Sequence, residues 1–313
     1  MRVAVFGAGG VGGYLGARLA DAGAAEVHLI ARGPHLEALQ ERGLELRSID
    51  GGCHVDVPVT DDPADVGPVD VVVFTVKSND TRSAAASLGP MLDAHTAVVS
   101  FQNGVDNESW IADEVGEDHV LGGVAYIFAT IAEPGVVDHT GGPSRFVFGE
   151  LDGTKSDRAV AFLEACQGAG IDTELSEDVR VVLWRKFVLM CCVGGMTAAT
   201  RLPLGAIRDD PDAWAMFERI AQEVNAVAAV EDVGLPDDIV DRTLELTRGL
   251  GADSYSSLYY DLTHGKPLEL EALNGAVVRR GREHDVAVPM NEAIVGLLSP
   301  WAARNASASG GGA

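Results

Sequence analysis

The chain has 313 residues, and 47% of them are hydrophobic, which is enough apolar material to fill a folded core. This excludes the disordered and fibrous classes, and the length predicts two domains at roughly 100–200 residues each. The formal net charge is −24, from 47 acidic and 23 basic side chains, which argues against nucleic acid or an anionic membrane as a partner. The acidity also fits a host with a salty cytoplasm or a high-GC genome, and composition does not separate the two.

The first predicted strand runs directly into a glycine-rich turn. Residues 3–6 read Val-Ala-Val-Phe, the next six read Gly-Ala-Gly-Gly-Val-Gly, and a helical pattern follows. Glycines at such a junction let the backbone approach a pyrophosphate, which then lies on the N–H groups of the helix N-terminus. The residues expected to bind the cofactor here are Gly7, Ala8, Gly9, Gly10, Val11 and Gly12. A glycine-rich turn in another kind of α/β protein is the alternative.

The end of the second predicted strand, residues 26–30, bears on which cofactor binds. It is followed by Ala31 and Arg32, and Arg32 lies 20 residues after Gly12. At this position an acidic residue is typical for a free ribose 2′-OH, and an arginine is typical for a 2′-phosphate. Because the strand tip carries no acidic side chain, the sequence predicts NADPH rather than NADH. A solvated surface arginine is the alternative.

Short apolar strands alternate with helical patterns through the first half of the chain, which is typical of a doubly wound parallel sheet. Further predicted strands are residues 69–74, 96–101, 120–129 and 145–149. Ligands bind beyond the carboxyl ends of the strands in such sheets. Lys77 and Asn103 both stand at those ends.

The second half of the chain reads as helical. The candidate helices are residues 178–199, 211–234, 236–251, 267–284 and 290–303, with Pro and Gly at their ends. We predict a Rossmann-type NADPH-binding α/β domain over residues 1–175 and an all-α substrate and catalytic domain over residues 176–304. The small-residue tail, residues 305–313, is predicted to be disordered.

The sequence shows no charged-then-apolar leader at its start, and its most apolar stretch, residues 187–199, is too short to span a bilayer. We therefore expect a cytoplasmic protein with no membrane contact. The four cysteines and eight histidines lack the spacing of metal ligands, which predicts no metal site. The apolar C-terminal helices would suit a homodimer surface as well as a core, so the oligomeric state stays open.

A lysine inside an apolar helical run is the most unusual residue of the second half. Lys186 lies in the segment 181–192, and burying an unpaired ammonium is costly unless an acid pairs with it or its pKa falls. Glu269 is a candidate partner, because a helix over residues 267–284 would place it on the apolar face with Leu273. The alternatives are a lysine that snorkels to water and an ordinary first-turn glutamate.

These residues together resemble the ketopantoate reductase (2-dehydropantoate 2-reductase) family, in order and over nearly the whole chain. The matching segments are residues 7–12, Arg32, Lys77, Asn103-Gly104, residues 183–186, Ser256-Ser257, Glu269 with Asn274-Gly275, and residues 286–291. The resemblance implies reduction of a 2-oxo acid to a 2-hydroxy acid with NADPH. It also implies that Lys186 is the general acid, that Glu269 assists it, and that Ser257 binds the substrate carboxylate. Lys77 and Asn103 would line the nicotinamide and substrate side of the site.

The sequence departs from the family pattern at three positions expected to bind substrate. Asparagines of the best-known members are replaced here by Met190, Gly194 and Ser254. Reduction of 2-dehydropantoate to pantoate, in pantothenate and coenzyme A synthesis, is the activity that the resemblance implies first. Because two substrate hydrogen bonds are lost at Met190 and Gly194, a larger or more apolar 2-oxo acid is the alternative substrate. A β-hydroxyacid or opine-type dehydrogenase and a non-catalytic NADPH-binding sensor are the remaining alternatives.

Overall fold

The computed structural model describes residues 1–309, and these form two compact units. The first comprises residues 1–102 and 107–182, and the second comprises residues 103–106 and the chain from residue 183 onward. The change from one unit to the other thus falls inside a helix, after residue 182. The domain bounds 1–175 and 176–304 stay a prediction.

The first unit is built on a single ten-stranded sheet. Its strands are β1 (Arg2–Phe6), β2 (Glu26–Ile30), β3 (Leu44–Ser48), β4 (Cys53–Val55), β5 (Val59–Thr60), β6 (Val71–Phe74), β7 (Ala97–Ser100), β8 (Val120–Glu133), β9 (Val136–Glu150) and β10 (Asp172–Leu175). The order across the sheet is β4-β3-β9-β8-β7-β6-β1-β2-β5, and β10 pairs with β9. All neighbouring strands are parallel except the pairs β3–β4 and β8–β9.

The four central strands end at the same level. Phe6 of β1 pairs with Ile30 of β2 and with Phe74 of β6, and Phe74 pairs with Ser100 of β7. β6 and β7 are buried along their whole length, as expected for parallel strands covered on both faces. The residues that follow these strands therefore share one edge of the sheet, where ligands bind in this architecture.

Twelve α-helices accompany the sheet or form the second unit within residues 1–309. The helices are α1 (Gly10–Asp21), α2 (Gly33–Arg42), α3 (Thr81–Ala85), α4 (Asn107–Val115), α5 (Asp157–Gly168), α6 (Val179–Thr200), α7 (Leu204–Asp209), α8 (Pro211–Val230), α9 (Ile239–Gly249), α10 (Ser257–Thr263), α11 (Asn274–Glu283) and α12 (Pro289–Ser309). From residue 183 the described chain is helical, with no strand. The predicted fold class, a Rossmann-type sheet followed by an all-α part, is confirmed.

Helix α6 is the central element of the second half. Over the described residues it is the one helix long and apolar enough to cross a membrane, yet 72% of its most apolar window is buried within the protein. Such burial is typical of the core helix of a soluble protein. Cys191 and Cys192 lie in this buried part of α6 as free thiols. Cys166 is a buried free thiol in α5.

Two details of the helices differ from the sequence-based prediction. Helix α11 begins at Asn274, whereas the predicted helix began at residue 267, so Glu269 lies in the irregular segment before it. Helix α12 continues to Ser309, so the predicted disorder of residues 305–313 is wrong for 305–309. Alanine favours helix, and the buried Asn305 donates from Nδ2 to the Lys266 carbonyl at 3.0 Å. Residues 310–313 lie outside the described residues.

Candidate active site

The glycine-rich turn packs too tightly for side chains at three of its glycines. A Cβ on Gly10 would lie 2.0 Å from the Ala129 carbonyl oxygen, and one on Gly12 would lie 2.4 Å from the Gly7 oxygen. Gly7 adopts a φ of +100°, which disfavours other residues. These glycines allow the close packing of β1, α1 and the β8 strand, and so they fix the shape of the turn.

Gly9 differs from the other glycines of the turn because its Cβ direction is open. A Cβ there would meet nothing closer than the Gly7 oxygen at 4.0 Å. Gly9 is also the N-cap of α1, with no side-chain cap and no acidic residue in the first turn. The first N–H groups of a helix have no partner within it and carry its partial positive charge. The arrangement is an open, positively polarised position suited to a phosphate.

The other predicted cofactor residues of the first unit lie around the strand ends. Ala8 is buried and donates its N–H to the Ile30 carbonyl at 3.0 Å, while Val11 is partly buried in α1. Arg32 is 73% exposed at the start of α2 and pairs with Asp80, Nη2 to Oδ2, at 3.0 Å. Lys77 is exposed just beyond β6. An exposed, singly paired guanidinium is free to turn toward an added phosphate.

Asn103 is partly buried and opens the short segment, residues 103–106, that belongs to the second unit. Asp106 anchors this segment there through two arginines of α11. Its carboxylate accepts from Arg279 Nη2 and from Arg280 Nη2, each at 2.5 Å, and Arg280 also pairs with Glu231. Sequence reasoning missed this ion-pair network, because the partners lie up to 174 residues apart.

Lys186 carries a perturbed amine in the middle of α6. Burial among protein atoms is the main cause that lowers its pKa to about 8, and the negative charge of Glu269 opposes this by raising it. Glu269 is 5% exposed, although it lies outside a helix. The charge of Glu269 thus acts on the Lys186 amine in the direction that the sequence analysis expected, and an amine with this pKa can hold or release a proton near neutral pH.

The predicted substrate residues Ser254 and Ser257 lie around the start of α10. Ser257 is its exposed first residue, and Ser254 is partly buried. The preceding Ser256 caps the helix by accepting from the Tyr259 N–H at 3.0 Å, and its hydroxyl lies 2.7 Å from that of Thr197 on α6. The contact with Thr197, which the sequence did not indicate, fixes the start of α10 against the lysine-bearing helix.

Met190 and Gly194 follow Lys186 on the same face of α6, at one and two turns. Met190 is partly exposed and Gly194 is buried. A Cβ on Gly194 would make ordinary contacts with Leu273 Cδ1 at 3.6 Å and with Leu258 Cδ2 at 3.7 Å. Both leucines are buried, so the Cβ direction of Gly194 is filled by the protein core.

Comparisons with known proteins agree over both halves of the chain. The models of Ketopantoate reductase PanE/ApbA and of its C-terminal domain match residues 3–153 and 178–301. A 2-dehydropantoate 2-reductase of Halobacterium salinarum is 34% identical over 299 residues, covering 95% of this chain and 98% of that one.

Two solved structures are similar in fold. A PanE/ApbA family ketopantoate reductase from Ralstonia eutropha JMP134 has a TM-score of 0.90 at 34% identity, covering 98% of this chain and 100% of that one. A D-mandelate dehydrogenase, solved with NADH and anilino(oxo)acetate, has a TM-score of 0.88 with the same coverage. Its identity is 22%, so this likeness shows the fold alone. The family matches confirm the resemblance seen in the sequence, and the chain belongs to the ketopantoate reductase family.

Proposed function

We propose that the chain reduces 2-dehydropantoate to pantoate with NADPH in the cytoplasm, as a step of pantothenate and coenzyme A synthesis. The observation that carries the proposal is a lysine in the middle of the apolar helix α6, partly buried, on which the charge of the buried Glu269 acts to favour the protonated amine. Because the chain belongs to an oxidoreductase family, and because reduction of a carbonyl group requires a proton at its oxygen, the amine is suited to act as the general acid. Relatives named 2-dehydropantoate 2-reductase support the choice of substrate.

A nicotinamide dinucleotide fits the residues of the first unit. The open direction at Gly9 and the uncapped start of α1 leave room and polarity for a pyrophosphate. The pyrophosphate site would be formed by the rest of the turn, namely Gly7, Ala8, Gly10, Val11 and Gly12. The nicotinamide would lie near Lys77 and Asn103. The cofactor, when bound, supplies the hydride for the reduction.

Arg32 is proposed to select NADPH by binding its 2′-phosphate. We expect Arg32→Ala to weaken NADPH binding about 10- to 100-fold, because one charge-assisted hydrogen bond contributes about 1.5–3 kcal/mol. NADH binding should change little. Fluorescence titration of both cofactors measures this, with Arg82→Ala as control, since Arg82 is also exposed and paired with an aspartate. Equal weakening of NADH and NADPH would contradict a role in selection.

Lys186 is proposed to protonate the substrate oxygen as negative charge develops there. With a pKa of about 8, about nine in ten of these amines are protonated at pH 7. The ammonium, on a partly buried side chain, also stabilises alkoxide character through its charge. Ser257 is proposed to bind the carboxylate, with the Thr197–Ser256 pair holding the start of its helix in place.

A second substrate class is favoured by the absence of the family asparagines at Met190 and Gly194. A 2-oxo acid with a branched alkyl chain would need no hydrogen-bond partner there, whereas the hydroxyl of 2-dehydropantoate needs one. The chemistry at Lys186 is the same for both classes.

Substrate choice is tested by comparing kcat/KM for 2-dehydropantoate and for a branched alkyl 2-oxo acid. If the proposal is right, 2-dehydropantoate is the better substrate. We expect Gly194→Asn to raise its advantage about tenfold, because an amide would then meet its hydroxyl. Gly168→Asn is the control, since Gly168 is a helical glycine of the first unit where an added Cβ would meet nothing within 4 Å. A wild-type preference for the alkyl acid would establish the second class instead.

A further inference from the structure

A histidine with no role assigned above joins the glycine-rich turn to the tip of the β8–β9 hairpin. His35 lies in the first part of α2 and is partly buried. Its Nε2 lies 2.8 Å from the Ala8 carbonyl oxygen, and its Nδ1 accepts from the Gly135 N–H at 3.0 Å. Since a carbonyl only accepts, the imidazole must be neutral and carry its proton on Nε2 to make both bonds.

The hairpin lies directly behind the turn that His35 contacts. A Cβ on Gly10 would overlap the Ala129 carbonyl of β8, and one on Gly13 would lie 2.7 Å from Val137 Cγ2 of β9. At the hairpin tip, a Cβ on Gly135 would lie 3.2 Å from Ala38 of α2. The start of α1, the hairpin and α2 are thus packed without spare room, and a shift in one must move the others.

The backbone of Ala8 is held from both sides. Its N–H donates to the Ile30 carbonyl at 3.0 Å, and its carbonyl accepts from His35. The N–H groups of Gly7, Ala8 and Gly9 donate to the Ile30 and Gly7 carbonyls, so with the Ala8 carbonyl engaged an anion at the turn would meet the first N–H groups of α1 rather than an exposed carbonyl oxygen. A carbonyl that turned toward a phosphate would repel it, because both carry partial or full negative charge.

We propose that His35 is a positioning residue for the cofactor pyrophosphate, acting through the Ala8 carbonyl and the hairpin tip. The proposal rests on the nicotinamide cofactor proposed above. It assigns to His35 the role of holding the glycine-rich turn in the conformation that binds the pyrophosphate. It needs the neutral imidazole, since protonation of Nδ1 would place an N–H against the Gly135 N–H. Cofactor affinity therefore falls as the pH falls and His35 becomes protonated.

The direction of this pH effect follows from the surroundings of His35. Burial lowers the pKa of His35 below its ordinary value of 6.5, and the bond to the Ala8 carbonyl opposes this. Charged side chains near the hairpin tip are engaged with other groups. Arg42 of α2 donates to the Pro134 carbonyl at 2.9 Å, and Glu133 pairs with Arg47 of β3 at 3.1 Å. The remaining charged residues of α2, Glu37 and Glu41, are exposed.

The proposal is tested by titrating NADPH and NADH into wild type, His35→Ala and His35→Gln between pH 5 and 7.5. At pH 7.5 we expect His35→Ala to weaken both cofactors about tenfold, as loss of one or two hydrogen bonds would. Its kcat at saturating NADPH should stay unchanged. His35→Gln should restore affinity, because its amide can donate to Ala8 and accept from Gly135 without titrating.

NADH is the decisive probe at low pH, since it lacks a titrating 2′-phosphate. Below pH 6.5, wild type should lose NADH affinity while His35→Gln does not. His95→Ala is the matched control, because His95 is exposed. The inference is overturned if His35→Ala binds as wild type and only its Tm falls, or if His35→Gln shows the wild-type pH loss. A wild type that binds neither cofactor at any pH would overturn the proposed function as well.

Discussion

Replacing Lys186 by alanine is expected to lower kcat about 10²- to 10⁴-fold, the range typical for loss of a general acid. The substrate oxygen would then have to take its proton from water, and no ammonium would stabilise its developing charge. The affinity for NADPH should stay unchanged, because the glycine-rich turn and Arg32 lie in the first unit. Lys186→Arg should also fail to restore turnover, because a guanidinium does not release a proton near neutral pH.

The measurement is steady-state turnover at saturating NADPH together with a cofactor titration for each variant. Lys155→Ala is the matched control, since Lys155 is an exposed lysine that pairs with Glu177 at 2.6 Å on the protein surface. It should retain wild-type kcat, as surface ion pairs contribute little. A Lys186→Ala variant with near wild-type kcat would show that Lys186 is not the general acid of the reaction.

Replacing Glu269 by glutamine is expected to lower kcat at pH 8 and to shift the whole pH profile toward acid. In wild type, turnover needs the protonated amine, so it should fall as the pH rises through about 8. Glu269 raises the pKa of Lys186, whereas burial lowers it. Without the carboxylate the pKa falls further, so the midpoint of the decline must move to lower pH.

The Glu269→Gln profile should be recorded from pH 6 to 9.5 beside that of Glu271→Gln. Glu271 is exposed two residues further along the chain, so its loss should leave the midpoint where it is in wild type. A glutamine at 269 keeps the size of the side chain, which separates charge from packing. An unmoved midpoint in Glu269→Gln would show that the carboxylate does not hold the proton on Lys186.

The fold was predictable where the pattern of the sequence is local and strong. The glycine-rich turn with its flanking strand and helix, and the buried strands β6 and β7, appear where the sequence places them. The short strands β3 to β5 were missed, because they hold two to five residues of mixed polarity. The later predicted strands, 120–129 and 145–149, are parts of one long antiparallel hairpin, which extends through polar residues.

The residues proposed to carry out the chemistry were predictable from the sequence, whereas the residues that hold the surrounding segments in place were less so. A lysine in an apolar run is a visible anomaly, and the structure gives Lys186 a lowered pKa and Glu269 as its charge partner. The argument that placed Glu269 on the apolar face of a helix is wrong, because α11 begins only at Asn274. Glu269 is buried because the irregular segment that carries it packs into the protein. Residues such as His35 and Asp106 act through partners 27 to 174 positions away. Periodicity carries no information about such contacts.

The most direct test of the account is the loss of NADPH absorbance at 340 nm when the purified protein meets 2-dehydropantoate, at low and at high salt. The account predicts catalytic turnover, with pantoate formed in amounts equal to the NADPH consumed. Turnover would also show that Met190 and Gly194 are tolerated beside the substrate. Tight NADPH binding without oxidation by 2-dehydropantoate or any other 2-oxo acid would contradict it, and would identify a nucleotide-binding sensor in place of a reductase.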